Sequence, residues 1–168
     1  METLKKIRLG LAYLVVYLHS PLRKVFYSKP KSGITIIGTH FESGLGQVVK
    51  LLYQSINEKF QCQLVYLYEK KEKKYRQIQK NDINIIVGNP DLLMPSIRYI
   101  FGFSIFKKYN IGFWFWELDQ LPYRWFLTRY LVDEIWVQSD FVLNAFKKLK
   151  KNVIKIPFYI DTSYVKYF

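Results

Sequence analysis

Six short apolar runs punctuate the chain, and most of the stretches between them carry helical spacing. The runs are Gly33–Gly38 (GITIIG), Gln63–Tyr68 (QLVYLY), Ile83–Pro90 (INIIVGNP), Ile111–Leu118 (IGFWFWEL), Glu134–Ser139 (EIWVQS) and Val153–Phe158 (VIKIPF). Each has strand length, and each is nearly continuous in apolar residues rather than alternating. That pattern marks strands covered on both faces of a sheet. Between the first two, Gly46–Phe60 sets Val48, Val49, Leu52, Tyr53 and Ile56 along one helical face. Glu69–Asp82 reads as a solvated charged connector. Gly88-Asn89-Pro90 signals a turn, and a helix is expected from about Asp91 to Lys108, with Pro95 in its first turn and Gly102 weakening its middle. Pro122 to about Leu131, and Asp140–Lys151, are the remaining helical stretches. Strand–helix alternation of this kind predicts right-handed βαβ units. The fold class expected is α/β: a Rossmann-like open, mostly parallel sheet with helices on both faces.

Composition agrees with a packed domain. The chain has 168 residues, half of them hydrophobic and 18% aromatic, enough for one substantial core but not two. The formal charge of +13 raises the question of an anionic partner. The excess is densest in residues 1–32, where seven Lys/Arg face one acid, Glu2. Within that segment Leu9–Leu18 (LGLAYLVVYL) is about half the length that spans a bilayer. Lys5, Lys6 and Arg8 precede it, Arg23 and Lys24 follow, and no small-residue cleavage site comes after it. Residues 1–32 are expected to form a basic amphipathic helix with two readings open: contact with a membrane surface, or packing on the domain itself. Residues 33–168 form the domain. The other basic residues sit in one connector and at one helix end, and the aromatics lie inside strand-like runs, so nucleic acid is not an expected partner. The single cysteine, Cys62, rules out an intrachain disulfide and a cysteine-based metal site, and it fits a buried thiol in a reducing, cytoplasmic setting.

Candidate chemistry collects where the apolar runs end, because ligands of open parallel sheets bind outside the carboxyl ends of the strands. After the first run, Ser43, Gly44, Leu45 and Gly46 open a helix, where free backbone N–H groups favour an anion. The loop is not GxGxxG, and no acid ends the second run to hold a ribose, so a dinucleotide site is disfavoured; a plain tight turn is the alternative. His40 lies in the same loop. Asn89 offers an amide to a sugar hydroxyl, or simply starts a helix. Glu117 and Asp119 follow the fourth run as paired carboxylates, fit to bind hydroxyls or act as a base; the plainer reading is helix capping plus ion pairs with Arg124 or Arg129. Trp114 and Trp116 fit a sugar-stacking surface less well than a packed sheet face. Ser139 most simply caps the following helix.

In order, SGLGQ, GNPD, GFWFWELDQLP, VDEIWVQSDFV and IPFYID resemble the N-terminal domain of the group 1 glycosyltransferases, the retaining class with two Rossmann-like domains called the GT-B fold. The similarity covers about Gly33–Asp161 and is greatest to bacterial members of surface-polysaccharide synthesis. The resemblance implies an acceptor-binding domain whose glycine loop, Gly44–Gly46, faces the donor phosphates across a cleft. It implies a nucleotide sugar as substrate, no cofactor and no metal. It implies a glycan or lipid-linked acceptor held by His40, Asn89, Asp119 or Ser139, and a cytoplasmic site, peripheral on the inner membrane face. Glu117 stands near where many relatives place an active-site histidine, which makes it the catalytic candidate. The donor-binding half of such enzymes lies beyond this sequence, so the donor is expected to engage through a missing domain or second chain, and the 168-residue chain is expected to lack activity alone. A non-catalytic Rossmann-like binding or regulatory subunit is the alternative.

Overall fold

The computed structural model describes residues 33–39, 43–67, 81–93, 105 and 107–158. The expected basic helix in 1–32, the connector, His40 and most of the expected helix 91–108 lie outside those residues.

All six apolar runs are strands: β1 (Ile34–Gly38), β2 (Cys62–Tyr66), β3 (Ile83–Gly88), β4 (Tyr109–Trp114), β5 (Glu134–Val137) and β6 (Asn152–Lys155). They form one sheet in the order β2-β1-β3-β4-β5-β6, with every pairing parallel. Two helices are described, α1 (Gly44–Asn57) and α2 (Asp140–Lys147). The Pro90–Leu92 turn and the Tyr123–Tyr130 segment are 3-10 helices.

Alternation along each strand divides the core between the two faces of the sheet. On one face Ile36, Ile85, Val87, Ile111 and Phe113 cluster with Val49 of α1. On the other, Ile37, Ile86, Trp114, Ile135 and Val137 cluster with Trp125, Leu131 and Phe146, contributed by the 3-10 segment and α2. Full burial of such side chains contributes about 1.5–3 kcal/mol each. The inner strands are thus sandwiched, which is why they read as unbroken apolar runs, while the edge strand β6 is mostly exposed.

Two glycines set close approaches. A Cβ on Gly38 would stand 2.2 Å from Val49 Cγ2, so the bare backbone at the end of β1 lets α1 lie against the sheet. Gly88 adopts φ +140°, and a Cβ there would meet Leu92 Cδ1 at 2.3 Å; the chain turns out of β3 only because this residue has no side chain.

The structure shifts several expected boundaries. β4 begins at Tyr109 and ends at Trp114, so Glu117 lies in a loop three residues past the strand. The stretch from Pro122 is 3-10 rather than α: its buried residues Trp125, Thr128 and Leu131 recur every third position, and Thr128 Oγ1 donates to the Trp125 carbonyl at 2.6 Å.

The second residues of four strands form a polar row. Gln63, Thr35, Asn84 and Asn110 share one register across β2, β1, β3 and β4. Asn84 Nδ2 donates to Asn110 Oδ1 at 2.8 Å; Asn110 Nδ2 donates to the carbonyls of Ile105 at 2.9 Å and Leu131 at 3.0 Å. Asn81 Nδ2 bonds Thr35 Oγ1 at 2.9 Å, and buried Lys108 donates to the Asn81 carbonyl. This network lies at the amino-terminal edge of the sheet, opposite the strand exits, and pins the register there. Cys62 is buried near it, and burial pushes its thiol pKa up.

Candidate functional site

The strand order decides where a ligand crevice falls. From β1 the chain passes through α1 to β2 on one side, then returns to place β3 on the other side of β1. The order therefore reverses between β1 and β3, and the loops leaving those two strands diverge there. A crevice at this switch point is flanked, by topology, by the segments that follow β1 and β3, Ser43–Gly46 and Asn89–Leu93. The carboxylates after β4 stand one strand further along, and Ser139 after β5 stands two.

On the first wall, Ser43 is the N-cap of α1. Its extended backbone, φ −101° and ψ 157°, directs Oγ to accept from Gly46 N at 3.0 Å, while Thr39 Oγ1 lies 3.2 Å from the same oxygen. Ser43 and Gly44 are exposed, Leu45 half-buried and Gly46 buried. A Cβ built on Gly44 would meet nothing within 4 Å, so this backbone is open to approach. The first turn of α1 carries no acidic residue, so no side chain within that turn offsets the positive end of the helix dipole.

On the second wall, Asn89 is extended and half-buried, and its side chain makes no capping bond. Asp91, two residues on, accepts from Arg124 Nε and Nη2, both at 2.7 Å, and from Trp125 Nε1 at 3.0 Å. The Arg124 guanidinium holds the Asp91 carboxyl below the usual carboxylate range, against the opposing effect of partial burial. Arg124 therefore serves Asp91, so the alternative that paired Glu117 and Asp119 with Arg124 does not hold. Arg129 donates instead to the Tyr130 hydroxyl at 2.6 Å and lies over that ring, 4.7 Å from its centroid.

The Phe115–Pro122 loop is anchored at both ends. Trp116 packs edge-on against Trp125 with ring centroids 4.4 Å apart, and Leu121 packs against the same core. Trp116 Nε1 donates to the Gln120 carbonyl at 2.9 Å, and Lys148 Nζ donates to the Asp119 carbonyl at 2.7 Å. Glu117, Leu118, Asp119 and Gln120 stand out between these anchors. Glu117 makes no hydrogen bond or ion pair among the described residues. The two tryptophans, two positions apart, pack on the same core: Trp114, fully buried at the end of β4, folds its indole over Gly112, where a Cβ would meet it at 2.3 Å, while Trp116, past the strand, braces the loop.

Ser139 is the N-cap of α2, accepting from Val142 N at 3.3 Å, and Asp140 pairs with Lys155 at 2.7 Å. The topology thus places Ser43–Gly46 and Asn89 after adjacent strands, sets Glu117 and Asp119 on a braced loop one strand further, and leaves Ser139 further along the edge. Sequence reasoning missed Asp91 as a hub; its partners lie 33 and 34 positions away, and only the fold joins them. Among the described residues there is no group of three or more His, Cys, Asp and Glu placed to hold a metal, and no helix long and apolar enough to cross a membrane. Comparison with family models, curated proteins and solved structures found no match.

Proposed function

We propose that this chain is the acceptor-binding half of a glycosyltransferase that moves a sugar from a nucleotide-sugar donor to a glycan or lipid-linked acceptor in bacterial cell-surface polysaccharide synthesis. The observation that carries the reading is the crevice between β1 and β3. An open glycine-bearing helix N-terminus and an asparagine follow two adjacent strands there, at the carboxyl edge of an all-parallel sheet. In this reading the α1 N-terminus faces the leaving diphosphate of a donor held by a second domain or chain, where preorganised N–H dipoles stabilise developing charge. Asn89 and the exposed loop around Glu117 and Asp119 contact acceptor hydroxyls. Residues 1–32 hold the domain at the inner membrane surface.

A non-catalytic binding subunit is the second reading. The exposure of Glu117, which makes no hydrogen bond or ion pair among the described residues, favours this. Donor calorimetry and a turnover assay test the proposal together. The 168-residue chain alone is expected to show no transfer from radiolabelled nucleotide sugars and only weak nucleotide binding. Transfer is expected to appear when a donor-binding domain is supplied. Tight nucleotide binding by the chain alone would overturn the acceptor-side assignment, and absence of transfer with every donor domain tried would favour the binding subunit.

A further inference from the structure

The geometry points to Asp91 as the positioning residue that locks the two sides of the strand-exit edge, the β3 turn and the Glu117 loop, into one unit. Asp91 leaves β3 on the short Pro90–Leu92 turn. Its two oxygens grip the fork of Arg124, and Oδ1 also takes the Trp125 indole N–H. Both partners open the Tyr123–Tyr130 segment, an eight-residue 3-10 run. Runs longer than about 3–4 residues are uncommon because 3-10 hydrogen bonds are poorly aligned, so this segment needs outside support at its start. The bidentate carboxylate supplies it with charge-assisted bonds of fixed geometry.

The brace continues beyond the segment. Trp125 is 1% exposed and meets Trp116 edge-on; Trp116 in turn holds the Gln120 carbonyl, closing the loop that displays Glu117 to Asp119. A contact at the exit of β3 therefore reaches the loop after β4 through two indoles. The functional meaning, a loop held ready for an acceptor, rests on the proposed transferase reading. The mechanical coupling does not, and it is measurable without ligand.

The four tryptophan indole N–H signals in a nitrogen–proton correlation spectrum report it. Trp136, whose indole bonds Glu134 at 2.8 Å, serves as the remote control. In both Asp91→Asn and Arg124→Gln, the Trp116 indole and the Glu117–Gln120 amides are expected to shift, and Trp116 N–H exchange to accelerate on the order of tenfold as its local opening becomes easier. Trp136 is expected to stay in place. Arg124→Lys keeps the charge but not the fork, and is expected to restore little of the protection. The Arg124 side chain is 60% exposed, so its variants keep the test valid if Asp91→Asn fails to fold. Movement of Trp125 alone, with Trp116 and the loop unchanged, would overturn the coupling. A coupling that holds while no saccharide binds would overturn only the transferase reading.

Discussion

Replacing Gly38 by alanine tests how the glycine loop is positioned, because Gly38 ends β1 directly before that loop and supports the helix that follows it. The added Cβ would stand 2.2 Å from Val49 Cγ2, 3.2 Å from Cγ1 and 3.3 Å from Cβ. A relaxed carbon–carbon contact is roughly 3.5–4.0 Å, so one partner must retreat by about 1.5 Å. Val49 is fully buried in mid-helix, where a β-branched side chain has essentially one rotamer, so it has little room to turn away. The helix itself must move, or the strand must. Overpacking of this kind costs about 1–3 kcal/mol, and for a chain of this size each kcal/mol lowers the melting temperature by roughly 2–4 °C. Urea unfolding of Gly38→Ala, Val49→Ala and the double variant forms the cycle. Val49→Ala alone is expected to cost about 1.5–2.5 kcal/mol for two buried methyl groups. In the double variant the clash is largely gone, so the two penalties should fall short of additive by about 1 kcal/mol or more. Additivity within roughly 0.5 kcal/mol would refute the packing argument. So would a Gly38→Ala protein as stable as the parent.

Two further expectations concern the caps and the amino-terminal edge. Ser43→Ala removes the acceptor for Gly46 N and should cost about 1 kcal/mol in thermal or urea unfolding, with Ser43→Asp restoring most of it; equal stability of the alanine variant would deny the cap. Burial lowers the Lys108 pKa below its ordinary value, with Asp82 opposing, so the folded chain releases this proton before the unfolded chain does. In the window between the folded value and about 10.4, the unfolded state holds more protons and stability rises with pH. The contribution is full above the unfolded value and lost as pH falls through the folded one. Relative to Lys108→Met, the parent should therefore gain stability across that alkaline window; parallel pH profiles would show that Lys108 is not desolvated.

The elements were legible where one physical rule dominated. Six apolar runs gave six strands; for the inner ones the reason is that a sheet covered on both faces leaves its strands unbroken by polar residues, while β6 is a mostly exposed edge strand. Gly46–Phe60 displays its apolar stripe in α1, with the start corrected to Gly44 by the Ser43 cap. The Trp125, Thr128, Leu131 spacing was present in the sequence but is short enough to pass for an α-helical face; only the three-residue period separates the two. The row of Thr35, Asn84 and Asn110 was hidden because one polar residue at the start of an apolar run looks like a boundary. Its meaning needs the register, which local patterns do not specify. The glycine loop and the Asn89 turn were legible as strand exits. Their shared crevice depends on strand order, and the Asp91–Arg124 pair depends on contacts between segments far apart in the chain.

The central claim is that the crevice between β1 and β3 receives a saccharide acceptor. Amide chemical-shift mapping of the 168-residue chain titrated with short oligosaccharides tests it most directly. The account predicts saturable shifts at Asn89 and along Glu117–Gln120, with a smaller response at the donor-facing Ser43, Gly44, Leu45 and Gly46. It also predicts none at Asn84 or Asn110 on the opposite edge. Shifts confined to that opposite edge, or tight binding of a nucleotide with no response to any saccharide, would contradict it.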